Sequence, residues 1–181
     1  MKTLRYLLCW ISVAALAGAL PLHAEVNLQV GQVAPRFSGH DQDGHIWRLS
    51  RYLGKKYVLL YFYPKDDTAG GLAEASWLRD NLADFKLAGV EVVGVSTDSR
   101  KSHKEFAFKN NLPFPLLADK YGDIADAYGA SVGGVYKIDR RVSFLIGLNG
   151  RILRVTNSPD PVAHLKEMAA VIAQLSGRNA L

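Results

Sequence analysis

The chain has 181 residues, of which 49% are hydrophobic and 22% are charged. These values exclude a disordered chain and fit one globular domain that buries a core. The net charge is +5. Its basic residues are scattered among acidic ones and form no obvious phosphate-binding face, so the sequence predicts no nucleic-acid partner.

The first 24 residues have the features of a secretory signal peptide. Lys2 and Arg5 precede an apolar run over 6–20, and Ala24 ends an acceptable small-residue cleavage site. A permanent membrane anchor is the alternative, but the uncharged run is shorter than the about 20 residues that span a bilayer. We therefore predict cleavage after Ala24, a periplasmic or secreted location, no stable membrane span and one mature domain over 25–181.

Cys9 is the single cysteine of the chain, and it lies inside this leader. Cleavage would leave a mature protein without any thiol, so no disulfide could form and stability would rest on the core. The loss of Lys2 and Arg5 would lower the net charge from +5 to +3. Lipid attachment at Cys9 is a second possibility, but the large residue Leu8 precedes it where a small one is expected.

The first elements of the mature chain form a predicted hairpin. Asp43-Gly44 is a typical hairpin turn, and the arms fall at 37–40 and 45–49. Four side chains of metal-ligand type surround the turn: His40, Asp41, Asp43 and His45. Turn chemistry alone accounts for both aspartates, so we predict neither a metal nor a cofactor here.

The middle of the chain alternates predicted strands and helices. Seven apolar or aromatic residues over 57–63 predict a central strand that is buried on both faces. Leu78, Leu82 and Phe85 form the apolar stripe of one helix, which Gly89 ends. Four further elements follow: a strand at 90–96, a helix at 99–111, a short strand at 114–119 and a helical turn at 121–129.

The last third predicts a second hairpin and a long helix. Asn149-Gly150 separates apolar runs at 142–147 and 151–156. Asp160 can cap the helix and Pro161 suits its first position. Its apolar face before Gly177 consists of Leu165, Met168, Ala169, Ile172 and Leu175. The order of these elements predicts an α/β domain with a mixed sheet.

Three stretches together carry a family resemblance: YVLLYFYPKDDT, GVSTDSRKSHKEFAFKNNLPFPLLADKYG and RVSFLIGLNGRI. In this order they resemble the peroxiredoxins of the bacterioferritin-comigratory, or PrxQ, subgroup, over nearly all of 30–176. The resemblance implies a thioredoxin-like fold, with a mixed central sheet flanked by helices. It also implies an antioxidant activity in which hydroperoxides are reduced at the expense of thioredoxin.

The same resemblance locates the residues of the family's active site. Its loop pattern of proline, threonine and peroxide-attacking cysteine falls on Pro64, Thr68 and Gly71, and its arginine falls on Arg141. The resolving cysteine, commonly five residues after the first, falls on Ser76. Both sulfur atoms are therefore absent, and we predict that the mature chain is not a thiol peroxidase.

Two classes of function remain. In the first, a catalytically inactive member binds a small anion or a hydroperoxide-like ligand in the remnant pocket, through Thr68, Gly70, Gly71 and Arg141. In the second, the chain is a scaffold or interaction protein of the cell envelope and binds a protein partner. A buried Arg141 without a counter-ion would be costly, so we expect either a bound anion or an ion pair with Asp139 or Asp66.

Overall fold

A computed structural model describes residues 28–134 and 137–179. The predicted signal peptide and Cys9 lie outside this part of the chain. The strands within it are β1 (Ser38–His40), β2 (Ile46–Arg48), β3 (Tyr57–Phe62), β4 (Val90–Ser96), β5 (Leu116–Ala118), β6 (Ser131–Val132), β7 (Ile138–Asp139), β8 (Val142–Ile146) and β9 (Ile152–Asn157). The α-helices within it are α1 (Ala69–Asp80), α2 (Leu82–Leu87), α3 (Arg100–Lys109), α4 (Asp123–Ala127) and α5 (Pro161–Asn179), and a 3-10 helix covers Leu49–Arg51.

The main sheet has five strands in the order β5-β4-β3-β8-β9. Strand β3 is central, as its continuous apolar run predicts. It pairs in parallel with β4, where Leu60 lies opposite Val93, and antiparallel with β8, where Leu60 lies opposite Phe144. The sheet is therefore mixed, which confirms the predicted α/β architecture.

The core lies on both faces of this sheet because side chains alternate along a strand. Leu59 and Tyr61 of β3 belong to one buried cluster, and Leu60 and Phe62 belong to the other. Residues of α1, α2, α3 and α5 complete the first cluster. The second contains residues of β2, the 3-10 helix and α4. Helices thus cover both faces of the strand that leads into the candidate site.

The prediction of a single helix over the stripe of Leu78, Leu82 and Phe85 is wrong. The backbone leaves the helical region at Asn81, where φ is −102° and ψ is 7°. The Asn81 side chain donates a hydrogen bond to the carbonyl of Trp77 at 2.8 Å, which satisfies the end of α1. Two shorter helices, α1 and α2, result, and all three stripe residues are still buried.

The final helix begins as predicted but extends further. Asp160 Oδ1 accepts the backbone N–H of Val162 at 3.0 Å, so it caps α5. The helix continues past Gly177 to Asn179. Its buried side chains are His164, Met168, Val171 and Leu175. Of the other predicted face residues, Leu165 is half-buried, and Ala169 is exposed, so it is not part of the apolar face. The side chain of Ile172 is not among those that the structure describes.

Both hairpins are confirmed by strand pairing, β1 with β2 and β8 with β9. In the first turn, the Asp41 carboxylate accepts the backbone N–H groups of Asp43 and His45, so Asp41 is used for turn formation. The predicted strand at 114–119 is shorter, since only Leu116–Ala118 pair with β4. Within the described residues, no helix is long and apolar enough to cross a bilayer.

Candidate functional site

The candidate site lies where β3 leads into α1. Thr68 is the N-cap of α1, in an extended conformation. Its Oγ1 accepts the backbone N–H of Gly71 at 3.1 Å and donates to the Lys65 carbonyl at 2.9 Å. The hydroxyl of Thr68 is therefore committed to capping the helix and closing the loop before it.

Gly71 is buried under that loop. A β-carbon at Gly71 would lie 2.5 Å from the Lys65 carbonyl oxygen and 3.0 Å from Thr68 Oγ1. The first distance is far inside van der Waals contact and involves backbone, which moves less readily than a side chain. In this loop conformation, position 71 has no room for a side chain of any kind.

Gly70 is required for a different reason. A β-carbon there would lie 2.5 Å from Arg141 Nη2 and 3.3 Å from Pro161 Cγ. The absence of a side chain thus lets the guanidinium lie directly against the start of α1. The structure brings together all four predicted ligand-binding residues, Thr68, Gly70, Gly71 and Arg141.

Arg141 is paired, but with neither of the two expected carboxylates. It immediately precedes β8, is 9% exposed, and its Nη1 donates to Oε2 of Glu74, which is fully buried on α1. The carboxylate of Asp66 is instead bound by other side chains. Asp139 makes no side-chain hydrogen bond to any described residue. The expected pairing of Arg141 with Asp139 or Asp66 is therefore wrong.

Glu74 is the functional residue that sequence reasoning missed. It lies four residues before Leu78, and so extends the buried stripe of α1 toward the helix N-terminus. A carboxylate at an apolar stripe position is a signal for a buried ion pair, because carboxylates are rarely buried alone. That signal was present in the sequence, but it did not identify Arg141 as the partner.

A histidine and a serine complete this buried polar centre. His164 of α5 lies with its Nε2 2.8 Å from Ser143 Oγ of β8 and 3.6 Å from Glu74 Oε1. Burial, together with the positive charge of Arg141, lowers the pKa of His164 to about 4. Burial raises the pKa of Glu74 to about 7, although Arg141 acts to lower it. At neutral pH the imidazole is therefore neutral and Glu74 titrates.

The serine, histidine and carboxylate of this centre are not arranged for hydrolysis. In a catalytic triad the two ring nitrogens of histidine contact different partners. Here the same nitrogen, Nε2, faces both Ser143 and Glu74, and Ser143 is 2% exposed. The charged side chains of this buried centre can balance one another, but its serine is not accessible as a nucleophile.

A second buried cluster fixes the loop itself. The Asp66 carboxylate accepts hydrogen bonds from Tyr63 Oη and Ser102 Oγ, both at 2.7 Å, and lies 3.0 Å from His103 Nδ1. Burial raises the pKa of Asp66, but these bonds, that of His103 first, outweigh it and hold the pKa below its usual value. The backbone N–H of Asp66 also donates to Asp98 Oδ2 at 2.8 Å. The loop that covers Gly71 is therefore anchored at Asp66, through both its side chain and its backbone N–H.

The remaining predicted positions lie at the edges of the site. Pro64 is half-buried at the end of β3. Ser76 is half-buried on α1, five residues after Gly71, so it is about 7.5 Å further along the helix axis. No cysteine is present among the described residues, so both cysteine positions of the family, 71 and 76, lack sulfur.

Asp139 gives a testable pH dependence. Burial, reinforced by the charge of Asp119, raises the pKa of Asp139 to about 8. From about pH 4 to about pH 8 the folded chain holds a proton that the unfolded chain has lost, so stability falls as the pH rises through this window. We expect Asp139→Asn to reduce this fall and to stabilise the protein most near pH 8. Glu74 contributes a fall of the same sign, so some slope remains.

Urea unfolding at several pH values from about 5 to about 8 measures this effect. Asp84→Asn, which removes an exposed carboxylate from α2, is the matched control and should leave the slope unchanged. An Asp139→Asn protein that loses stability with pH as steeply as the parent would show that Asp139 is ionised in the folded state.

Comparison with known proteins places this geometry in context. A family model described as the AhpC/TSA family matches residues 30–155. A putative peroxiredoxin bcp of Coxiella burnetii is 41% identical over 148 residues, which cover 79% of this chain and 97% of that protein. Peroxiredoxin Bcp of Escherichia coli K12 is 41% identical over 133 residues, which cover 71% of this chain and 85% of that protein.

Solved structures agree with the sequence relatives. The crystal structure of peroxidoxin BcpB from Mycobacterium tuberculosis has a TM-score of 0.76 at 30% identity, and covers 81% of this chain and 97% of that chain. A cysteine-to-serine mutant of Xylella fastidiosa PrxQ has a TM-score of 0.75 at 27% identity, and covers 84% of this chain and 98% of that chain. The thioredoxin-like fold is thus shared along nearly the whole length of both.

Proposed function

Since the chain belongs to the AhpC/TSA family, we propose that it is an exported, non-catalytic member that binds a small anion in place of reducing peroxides. The observation that carries this proposal is the packing at Gly71. The family's nucleophile position holds a residue without a side chain, and the Lys65 carbonyl occupies the space that a side chain would need.

Among residues 28–134 and 137–179, no group near Gly71 replaces the missing sulfur. A hydroxyl at Thr68 or Ser76 ionises far less readily than a thiol near neutral pH, and Thr68 is already used as the helix cap. Peroxide reduction also needs an atom that takes up oxygen and is then reduced again, which sulfur does and hydroxyl oxygen does not. On this proposal the chain has lost the peroxide chemistry of its family but has kept the arginine of the site, Arg141.

Arg141 supports binding as the retained role. It lies beside the N-terminus of α1, where backbone N–H groups and the helix dipole favour an anion. The guanidinium reaches that position only because residue 70 is glycine. A sulfate or a small carboxylate has the charge and the acceptor geometry that an arginine binds well.

The scaffold hypothesis is the second candidate, and the Arg141–Glu74 pair favours it. The guanidinium already has a carboxylate partner inside the protein, so its charge does not by itself require an external anion. In that case the centre has a structural role, and function resides in a surface that binds an envelope protein.

Ligand-dependent stability separates the two candidates. We expect sulfate to raise the Tm at about pH 6, because a ligand that binds only the folded state stabilises it by mass action. Sodium chloride at equal ionic strength controls for screening. Arg141→Ala should remove the sulfate response, whereas Arg154→Ala, which removes a partly exposed arginine of β9, should retain it. A response that survives in Arg141→Ala would favour the scaffold hypothesis.

Export is tested independently of binding. Lys2, Arg5, the apolar run and Ala24 support removal of residues 1–24. We expect fractionation and N-terminal sequencing to find a chain that begins near Glu25 in the periplasm or the medium. Recovery of the full-length chain from the membrane fraction would contradict this.

A further inference from the structure

We propose that Glu74 competes with the external anion for Arg141, so that the site accepts the anion only when Glu74 carries a proton. This inference rests on the proposed anion binding and adds its regulation. Anion binding at Arg141 would then depend on pH, because the ionised Glu74 carboxylate would prevent it at higher pH.

The geometry of the pair carries this inference. Nη1 of Arg141 donates to Oε2 of Glu74, and the two side chains are 8% and 0% exposed. The Glu74 carboxylate therefore neutralises the guanidinium inside the protein, where little water screens the interaction. An anion near Gly70 would meet a neutral pair while Glu74 is ionised, and an uncompensated cation once Glu74 is protonated.

Three other groups of the described chain bear on Glu74, each from a different element. Arg141 approaches from the start of β8, His164 from α5, and Tyr61 from β3. Burial, followed by the charge of Glu74, raises the pKa of Tyr61 well above its usual value, so the phenol stays neutral. His164 stays neutral above about pH 5, since its pKa is lowered to about 4.

Glu74 is therefore the member of this set that changes charge near neutrality. Its two oxygens differ in their surroundings. Oε2 contacts the guanidinium, while Oε1 has no hydrogen-bond partner among the described residues and lies 3.6 Å from His164 Nε2. A carboxylate with one unbonded buried oxygen is poorly stabilised in its ionised form, which favours protonation. With a pKa of about 7, Glu74 is mostly protonated at about pH 5.5 and mostly ionised at about pH 8.5.

The test measures the sulfate dependence of Tm for the full mature chain at about pH 5.5 and about pH 8.5, since sulfate keeps its charge throughout this range. At the higher pH only about one Glu74 in thirty is protonated, so we expect the apparent sulfate affinity to be about thirtyfold weaker there. Glu74→Gln keeps the shape and a hydrogen-bonding oxygen but cannot ionise. We expect this variant to bind sulfate equally well at both pH values.

The possible failures are distinguishable. If the parent binds sulfate equally at both pH values, and Arg141→Ala abolishes binding, the proposed anion site stands and control by Glu74 is overturned. A Glu74→Gln variant that keeps the parent's pH dependence also overturns it, because another group must then titrate. If neither pH gives an Arg141-dependent response in the parent or in Glu74→Gln, the proposed anion binding fails, and its regulation with it.

Discussion

Replacing Glu74 by alanine is expected to lower the free energy of unfolding by about 3–5 kcal/mol near pH 8. The substitution leaves the Arg141 guanidinium buried without its counter-ion. It also opens a cavity on the buried side of α1, where the neighbouring Ala75 and Leu78 are buried as well. The loss should be larger near pH 5.5, because the raised pKa of Glu74 means that the folded chain gains stability there by holding a proton, which alanine cannot do.

Urea denaturation measures this loss, and Glu105→Ala is the control. Glu105 is exposed on α3 and lies 3.8 Å from Lys101, so its removal should cost less than about 0.5 kcal/mol. The double variant Glu74→Leu with Arg141→Met should recover much of the stability, because an apolar pair can replace a buried ion pair. A Glu74→Ala protein as stable as the control would mean that Arg141 does not depend on this carboxylate.

Introducing a thiol at the family's nucleophile position is expected to have two effects. Gly71→Cys should destabilise the fold by about 1–3 kcal/mol, because the β-carbon meets the Lys65 carbonyl and the loop must move. The strain is steric, since Gly71 is not among the glycines with positive φ. If the loop does move, the thiol pKa should fall below about 8.5, since the helix N-terminus and Arg141 favour the thiolate.

Iodoacetamide alkylation across pH measures the thiol pKa, and trapping of a sulfenic acid reports its reaction with peroxide. Ala73→Cys, two residues further along α1 and exposed, is the control, and its thiol should titrate near the free value. A well-folded Gly71→Cys protein whose thiol behaves like the control would show that the remnant pocket no longer favours negative charge. Anion binding at Arg141 would then lose its support.

Local chemistry made much of the fold predictable. The continuous apolar run of β3, the two Gly-containing hairpin turns and the Asp160 cap depend on neighbouring residues, and the structure has each of them. The break at Asn81 was missed because an asparagine within a helical stripe leaves the period of Leu78, Leu82 and Phe85 intact. The hydrogen bond from the Asn81 side chain to the Trp77 carbonyl, which accompanies the end of the helix, leaves no mark on that period.

The candidate site was only partly predictable, because its ion pairs join distant parts of the chain. Thr68, Gly70, Gly71 and Arg141 lie together, as the family resemblance implied. Glu74 and Arg141 are separated by 67 residues, and Asp66 and His103 by 37. Composition and periodicity mark such residues as unusual within an element, but they do not say which distant charge they meet.

Peroxide consumption by residues 25–181, assayed with a complete thioredoxin-type reducing system, tests the proposed loss of catalysis most directly. Gly71 holds no sulfur, and no described residue replaces it, so we expect no consumption beyond that of the reducing system alone. An active peroxiredoxin of the same subgroup, assayed in parallel, shows that the system works. Turnover of hydrogen peroxide or an alkyl hydroperoxide that depends on residues 25–181 would contradict the proposed loss of catalysis.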